Sequence, residues 1–330
     1  MIFSLPFTAL TGLVLIFADP AIAAGIVDNH KSDLCSVAAR RFPNRVSFPG
    51  STEYENQKGS YYIAQARALA PDCLFRPTST REVSDFVKLA TAHDPCHQQR
   101  GNCSVSKPLF SMRGGGHTLW AGAAGAAGGL TVDLRGLNAV TLSADKKMAS
   151  VGGGSNFADV YPQLVPHNLT VLGGRTPGVA AGGLHNGDAA LYKQLIQIWE
   201  EGITAIKSMQ GLRSQFYLQP SPVTNGTNSL GVPAGAADLV SASITINWDE
   251  AADDSMATGA AKAMMARQQA VVRSAGLSAP FVYLNYADVS QDPIRTYGQD
   301  NVRRLWAASR KYDPQGLWQT RVQGYKLPKV

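Results

Sequence analysis

The chain has 330 residues, 45% of them hydrophobic and 16% charged, with a formal net charge of +6. That length suits two domains or one large one, and the apolar content supplies a substantial core. The basic residues are scattered and no Lys/Arg run is interleaved with aromatics, so a nucleic-acid groove is not indicated; the excess favours an anionic ligand or simply solubility.

In chain order, residues 2–18 are an apolar run closed by Asp19-Pro20 and the small-x-small triplet Ala21-Ile22-Ala23. This reads as a signal peptide over residues 1–23, and the mature chain is then expected to be secreted, with no membrane segment after cleavage. A membrane anchor is the competing reading, disfavoured because no second apolar segment follows. The four cysteines, Cys35, Cys73, Cys96 and Cys103, show no CxxC or Cys/His spacing. Disulfides in an oxidising compartment are therefore expected rather than a metal site. Cys96 with Cys103 would close a small loop and Cys35 with Cys73 would tie the start of the mature chain to the first strand; other pairings stay open. Sequons at Asn102, Asn168 and Asn225 are compatible with a secreted glycoprotein.

A short helix is expected over 33–41 and an extended segment over 44–50. A longer extended run follows over 61–77, ended by Pro77. Ser79-Thr-Arg-Glu82 opens a helix with Val83, Phe86, Val87 and Leu89 at helical spacing. After a polar loop, 108–112 reads as a short buried strand running into Arg113-Gly114-Gly115-Gly116-His117-Thr118. Three glycines in succession expose bare main chain, and consecutive N–H groups in such a turn can form a concave nest for phosphate. Arg113 adds a permanent cation and His117 a nucleophilic ring nitrogen. Taken alone, the run is equally a tight turn with an incidental histidine.

Further strands are expected at 130–134, 148–151 and 169–172, with a helix over 156–164. Glycine clusters recur at Gly114, Gly152, Gly173 and Gly182, an arrangement that can line one extended anionic ligand from several sides; none has the Rossmann spacing opening a helix. Helices are expected over 189–210 and 260–275 and a strand over 243–248. Leu195, Ile198, Trp199 and Ile206 give the first of these helices a core face. Asp249, Glu250, Asp253 and Asp254 lack metal-ligand neighbours and read as a solvated turn, and Lys311-Tyr312-Asp313-Pro314 as a helix-ending turn.

The ordered set Arg113-Gly-Gly-Gly-His117-Thr, Thr131-Val-Asp-Leu, Ala149-Ser-Val-Gly-Gly-Gly154 and Gly173-Gly174-Arg175 resembles the flavin-binding half of FAD-linked oxidases of the vanillyl-alcohol-oxidase or p-cresol-methylhydroxylase (PCMH) type. Phe281-Val-Tyr283-Leu-Asn285-Tyr286-Ala-Asp288, Tyr297-Gly298, Lys311 to Gly316 and Gly324-Tyr-Lys326-Leu327 resemble the tail of the berberine-bridge-enzyme-like subfamily.

The resemblance implies an α+β fold. An FAD-binding PCMH-type domain over 24–184 is incomplete at its C-terminal side, 185–280 is a remnant of the substrate domain, and 281–330 is the berberine-bridge-like segment. It implies FAD bound covalently through His117, with Arg113, Gly114, Gly115, Gly116, Thr118, Gly173, Gly174, Gly178, Val179, Gly183 and Asn285 lining the cofactor. Region 172–178 holds no cysteine, so a single tether is expected. Hydride would pass from a hydroxylated small molecule to the flavin, with dioxygen or another acceptor downstream, and Tyr283 and Tyr286 are the candidate bases. In a strand those two side chains would face opposite ways. Past Leu184 the family's usual continuation is missing, so the alternative is a catalytically impaired member or a non-redox ligand-binding glycoprotein.

Overall fold

The computed structural model describes residues 33–94, 108–169, 181–185 (main chain only), 189–220, 228–232, 234–235 and 239–329. The signal segment, the strand expected from residue 170 onward, Cys96, Cys103, Gly173, Gly174, Gly178 and Val179 lie outside the described residues.

Two four-stranded sheets carry the architecture. In the first, α1 (Asp33–Arg41), β1 (Val46–Ser47), α2 (Thr52–Gly59), α3 (Ala64–Arg67), β2 (Cys73–Phe75), α4 (Thr80–Ala92), β3 (Phe110–Arg113), α5 (Ala121–Ala124) and β4 (Leu130–Asp133) follow one another. The strand order is β1-β2-β4-β3, with β4 parallel to both its neighbours and β1 antiparallel to β2. All four residues of β4 are buried, as a central parallel strand requires.

Helix α4 forms where its cap says it should, because Ser79 Oγ accepts from the Glu82 N–H at 3.1 Å. It turns Phe86 and Ala90 into the core. There Phe42, Phe75, Phe86, Phe110 and Trp318 touch ring to ring at 4.7–5.6 Å. Cys35 of α1 is bonded to Cys73 of β2, 38 residues on. A loop of that length, closed in the unfolded chain, stabilises the fold by about 3–4 kcal/mol.

One stretch departs from expectation. Residues 64–67, within the run read as extended, form the helical turn α3. Arg67 holds it by donating to the carbonyls of Tyr61 (2.7 Å) and Tyr62 (2.9 Å), contacts no local pattern signals.

A hairpin, β5 (Val140–Leu142) with β6 (Ala149–Val151), leads to α6 (Phe157–Leu164). Asn156 and Asp159 form a reciprocal capping box on α6, each side chain accepting from the other's main-chain N–H.

The second sheet contains β7 (Ala181–His185), β8 (Arg213–Pro220), β9 (Leu239–Asn247) and β10 (Ser278–Ala279), all antiparallel in the order β10-β7-β9-β8. Helices α7 (Ala189–Ala205) and α8 (Asp254–Ser274) bury Leu195, Ile198, Met264 and Val272 against Val240, Ala242 and Ile244 of β9. The core face expected of α7 is therefore real: Leu195 and Ile198 are buried, Trp199 packs against the cluster around Ile198, and Ile206 just past the helix is buried too. The acidic turn is less solvated than expected, since Asp254 Oδ1 accepts from Trp248 Nε1 and from Gln65 Nε2.

The C-terminal region, α9 (Gln299–Tyr312) and α10 (Leu317–Thr320), returns to the first sheet. As read from sequence, α9 ends at the Asp313 turn, whose carboxylate then accepts from the N–H groups of Leu317 and Trp318. The Leu109 N–H donates to Arg321 O, Val322 bridges to Phe110, and Leu317 and Val322 enter the same core as Phe110. Beneath this seam Arg321 Nε pairs with the Asp94 carboxylate at 2.8 Å, both side chains nearly out of solvent.

Candidate functional site

The carboxyl ends of parallel strands are where open sheets of this kind receive ligands, because the strand-to-helix turns leave a crevice there. Here β3 ends at Arg113 and β4 at Asp133, partners in register. The glycine run Gly114–Gly116 leaves from that edge.

Arg113 is 1% exposed, the largest fully buried side chain among the described residues. Its guanidinium donates to Gln57 O (2.6 Å), Ser60 O (2.9 Å) and Ser60 Oγ (3.0 Å) and lies 3.7 Å from the Tyr61 ring centroid. The charge expected at the lip of the loop is thus spent on the C-terminal carbonyls of α2, directly beneath the glycines. Gly116 sits on this guanidinium with φ +76°, and a Cβ there would lie 2.7 Å from Arg113 Nε. Only glycine meets both demands.

Alongside, Arg135 donates to both oxygens of the fully buried Asp133 (2.9 and 3.1 Å from Nε) and to Ser60 Oγ at 2.7 Å. The two guanidinium groups thus meet at the Ser60 hydroxyl, and the one carboxylate beside them, Asp133, is bonded to Arg135, leaving a net positive field under the loop. Burial, and then the Arg135 charge, lowers the pKa of Arg113 from its ordinary value.

His117 is exposed at the end of the run. Its imidazole stacks on Tyr62, centroids 5.0 Å apart and planes 21° from parallel. Burial, and then the Arg113 charge, pulls its pKa below the ordinary histidine value, which favours the neutral ring. Among the described residues none accepts from the main-chain N–H groups of Gly115, Gly116 or His117, so those donors can face an anion. Thr118 Oγ1 accepts from Trp120 N–H at 3.3 Å and shapes the exit of the turn. These features fit a pyrophosphate-bearing cofactor with a nucleophilic tether.

The second glycine cluster has a packing reason of its own. A Cβ on Gly152 would fall inside van der Waals contact of Leu137 O, and one on Gly154 inside that of Leu134 O. Both glycines are required by main chain packed on main chain. The cluster does abut the first, since a Cβ on Gly114 would meet Gly153 O at 3.3 Å. Gly183 lies in β7, paired with Ser241 and Ala279.

The tyrosine stretch is a single 3₁₀ turn, Leu284–Tyr286, rather than a strand. Three residues per turn bring positions 283 and 286 to the same side, and the two rings meet edge to face at 5.1 Å. Asn285 Nδ2 donates to the Tyr283 oxygen at 2.8 Å. Tyr325 joins this turn to the glycine loop: its hydroxyl donates to Ala287 O at 2.7 Å and its ring meets Trp120 at 5.3 Å. Among the described residues no hydrogen bond or ring contact joins either tyrosine to His117 itself. No group of His, Cys, Asp and Glu able to hold a metal occurs among the described residues, and no described helix is long and apolar enough to cross a membrane.

Sequence reasoning missed Tyr62, Ser60, Asp133 and Arg135 as neighbours of the loop. Asp133 had a signal, its place at the end of a strand that pairs in register with β3; Tyr62 had none beyond being an aromatic residue in a polar stretch.

A family model described as an FAD binding domain matches residues 71–194. The chain is similar to the FAD-dependent monooxygenase sdcF of Emericella nidulans, 36% identical over 47% of this chain and 30% of that protein. It is 38% identical to the FAD-dependent monooxygenase drtC of Aspergillus calidoustus over 43% of this chain and 29% of the relative. With the FAD-dependent monooxygenase CTB5 of Cercospora beticola it shares 33% identity over 42% of its length and 25% of the relative's. The chain spans less than a third of the length of these curated relatives. These matches support an FAD-binding segment over residues 71–194.

Proposed function

We propose that this chain is a secreted oxidoreductase of the berberine-bridge-enzyme-like kind, carrying FAD covalently on His117 and oxidising a hydroxylated small molecule such as a sugar, an alcohol or a secondary metabolite. The observation that carries the reading is the exposed, neutral-favoured imidazole of His117 at the end of a glycine turn whose Gly115, Gly116 and His117 N–H groups have no acceptor among the described residues, within residues that match an FAD binding domain.

When bound, the flavin supplies a two-electron acceptor. His117 would hold it by a C–N bond, formed in place of one C–H of the 8α-methyl group and the imidazole N–H, with dioxygen taking up the two electrons and two protons as hydrogen peroxide. The chain's own part is to hold and to deprotonate. The N–H groups of Gly115, Gly116 and His117 bind the pyrophosphate over the Arg113–Arg135 pair, and Thr118 fixes the exit of the loop. Tyr283 or Tyr286 accepts the substrate hydroxyl proton. Asn285 donates to the Tyr283 oxygen, where negative charge collects once a phenol has lost its proton. Gly173, Gly174, Gly178, Val179, Gly183 and Asn285 complete the lining by resemblance. Residues 24–184 form the cofactor domain, 185–280 a reduced substrate domain and 281–330 the closing segment. Dioxygen as final acceptor is in keeping with relatives named monooxygenases.

The test is a visible spectrum of the purified chain after acid precipitation, with peptide mass analysis. Retained yellow colour and a flavin adduct on the His117 peptide, absent in His117→Ala, are expected. A colourless pellet from the unaltered chain overturns the tether. It would favour the second reading, an impaired or non-redox ligand-binding member. Peroxide release with sugars and phenolic alcohols then assigns the substrate class.

A further inference from the structure

We propose that Tyr62 is a positioning residue for His117, holding the plane of the imidazole so that its in-plane lone pair points at the incoming flavin; this rests on the covalent-flavin reading above. The nucleophilic electrons of an imidazole nitrogen lie in the ring plane, not above it. A partner stacked on the face therefore fixes the plane and leaves the attacking edge open. The Tyr62 ring is that partner, 21° from parallel and 5.0 Å away. Since His117 is exposed, an unstacked ring would sample several rotamers, and freedom lost before the reaction is freedom the transition state need not lose.

The backbone under Tyr62 is fixed from both sides. Its N–H donates to Gly116 O at 3.1 Å, and its carbonyl accepts from Arg67 at 2.9 Å. Gly116 is itself seated on the Arg113 guanidinium, and that guanidinium packs on the ring of Tyr61, the residue before. Tyr62 and His117 are thus held to one another through a rigid bracket of buried Arg113, Tyr61 and Gly116. Tyr62 itself is 39% exposed, so its ring is not required by the core.

The experiment uses the full chain, prepared without flavin and mixed with FAD, comparing the unaltered protein with Tyr62→Leu and Tyr62→Phe. Adduct formation at His117 is followed by peptide mass, and the His117 ring C–H resonances by NMR before FAD is added. Tyr62→Leu should slow attachment about tenfold and Tyr62→Phe should stay within about twofold, the scale expected when a reacting group loses its orientation. The His117 resonances should sit upfield in the unaltered and Phe proteins and lose that shift in the Leu protein, which a general loosening of the fold would not produce selectively. Attachment in Tyr62→Leu as fast as in the unaltered chain overturns the positioning role, as does a Phe variant as slow as Leu. No adduct in the unaltered chain, with the upfield shift present, overturns the tether and the positioning role with it. That result is distinct from an adduct that forms regardless of residue 62.

Discussion

Residue by residue, the site is governed by where charge is buried. Arg113 sits where sequence reasoning placed a phosphate-facing cation, yet its donors go to Gln57 and Ser60 below the loop. Its influence on a ligand is through field and shape, not contact. The same charge, after burial, holds the His117 pKa below its ordinary value. The sign follows directly: a lowered histidine pKa keeps the nucleophile neutral to lower pH, and protonation in acid favours the unfolded state, where the value is ordinary. The rate of flavin attachment to the flavin-free chain should fall on acidification with a midpoint below the ordinary histidine value of about 6.5. A rate that rises on acidification would show that the charged ring is the reacting form.

At the level of elements, much was readable from local chemistry. Ser79 announced α4, Asn156 sits at the cap of α6, and the apolar runs marked β3 and β4. What could not be read was set by distant main chain. Helix α3 depends on Arg67 reaching the Tyr61 and Tyr62 carbonyls, and the 152–154 glycines on the approach of residues 134–137. A strand would have put the two tyrosines on opposite faces, whereas the 3₁₀ turn brings their rings together edge to face. The glycine packing makes a graded prediction. Gly152→Ala and Gly154→Ala force a Cβ into a carbonyl oxygen, while at Gly153 the nearest atom is Leu134 Cδ1 at 3.8 Å. Urea melts should show losses of about 1–3 kcal/mol or more for the outer two and little change for Gly153→Ala. Equal losses at all three positions would contradict this packing.

Across the whole molecule, the first sheet is completed from the far end of the chain. Leu317 and Val322 belong to its core, and the Arg321–Asp94 pair is buried at the join. Taking one partner from a buried pair is costly because the other keeps its desolvation penalty. Arg321→Met should therefore lower stability by about 3 kcal/mol in denaturant titrations. A loss below about 1 kcal/mol would class the pair with exposed surface bridges. The same region carries Tyr325, the link between Trp120 and the tyrosine turn, so this segment matters for the cofactor loop as well as for the core.

That seam also constrains when the protein can mature. Phe110 emerges from the ribosome about two hundred residues ahead of Val322, and domains assemble in the order their parts appear. Until the later segment arrives, one edge of β3 waits without its neighbour and the aromatic row ends at Phe110 with no Trp318 beyond it. Completion of the first core is then a late event, and a nascent chain halted before residue 317 would present chaperones with an open, oily flank.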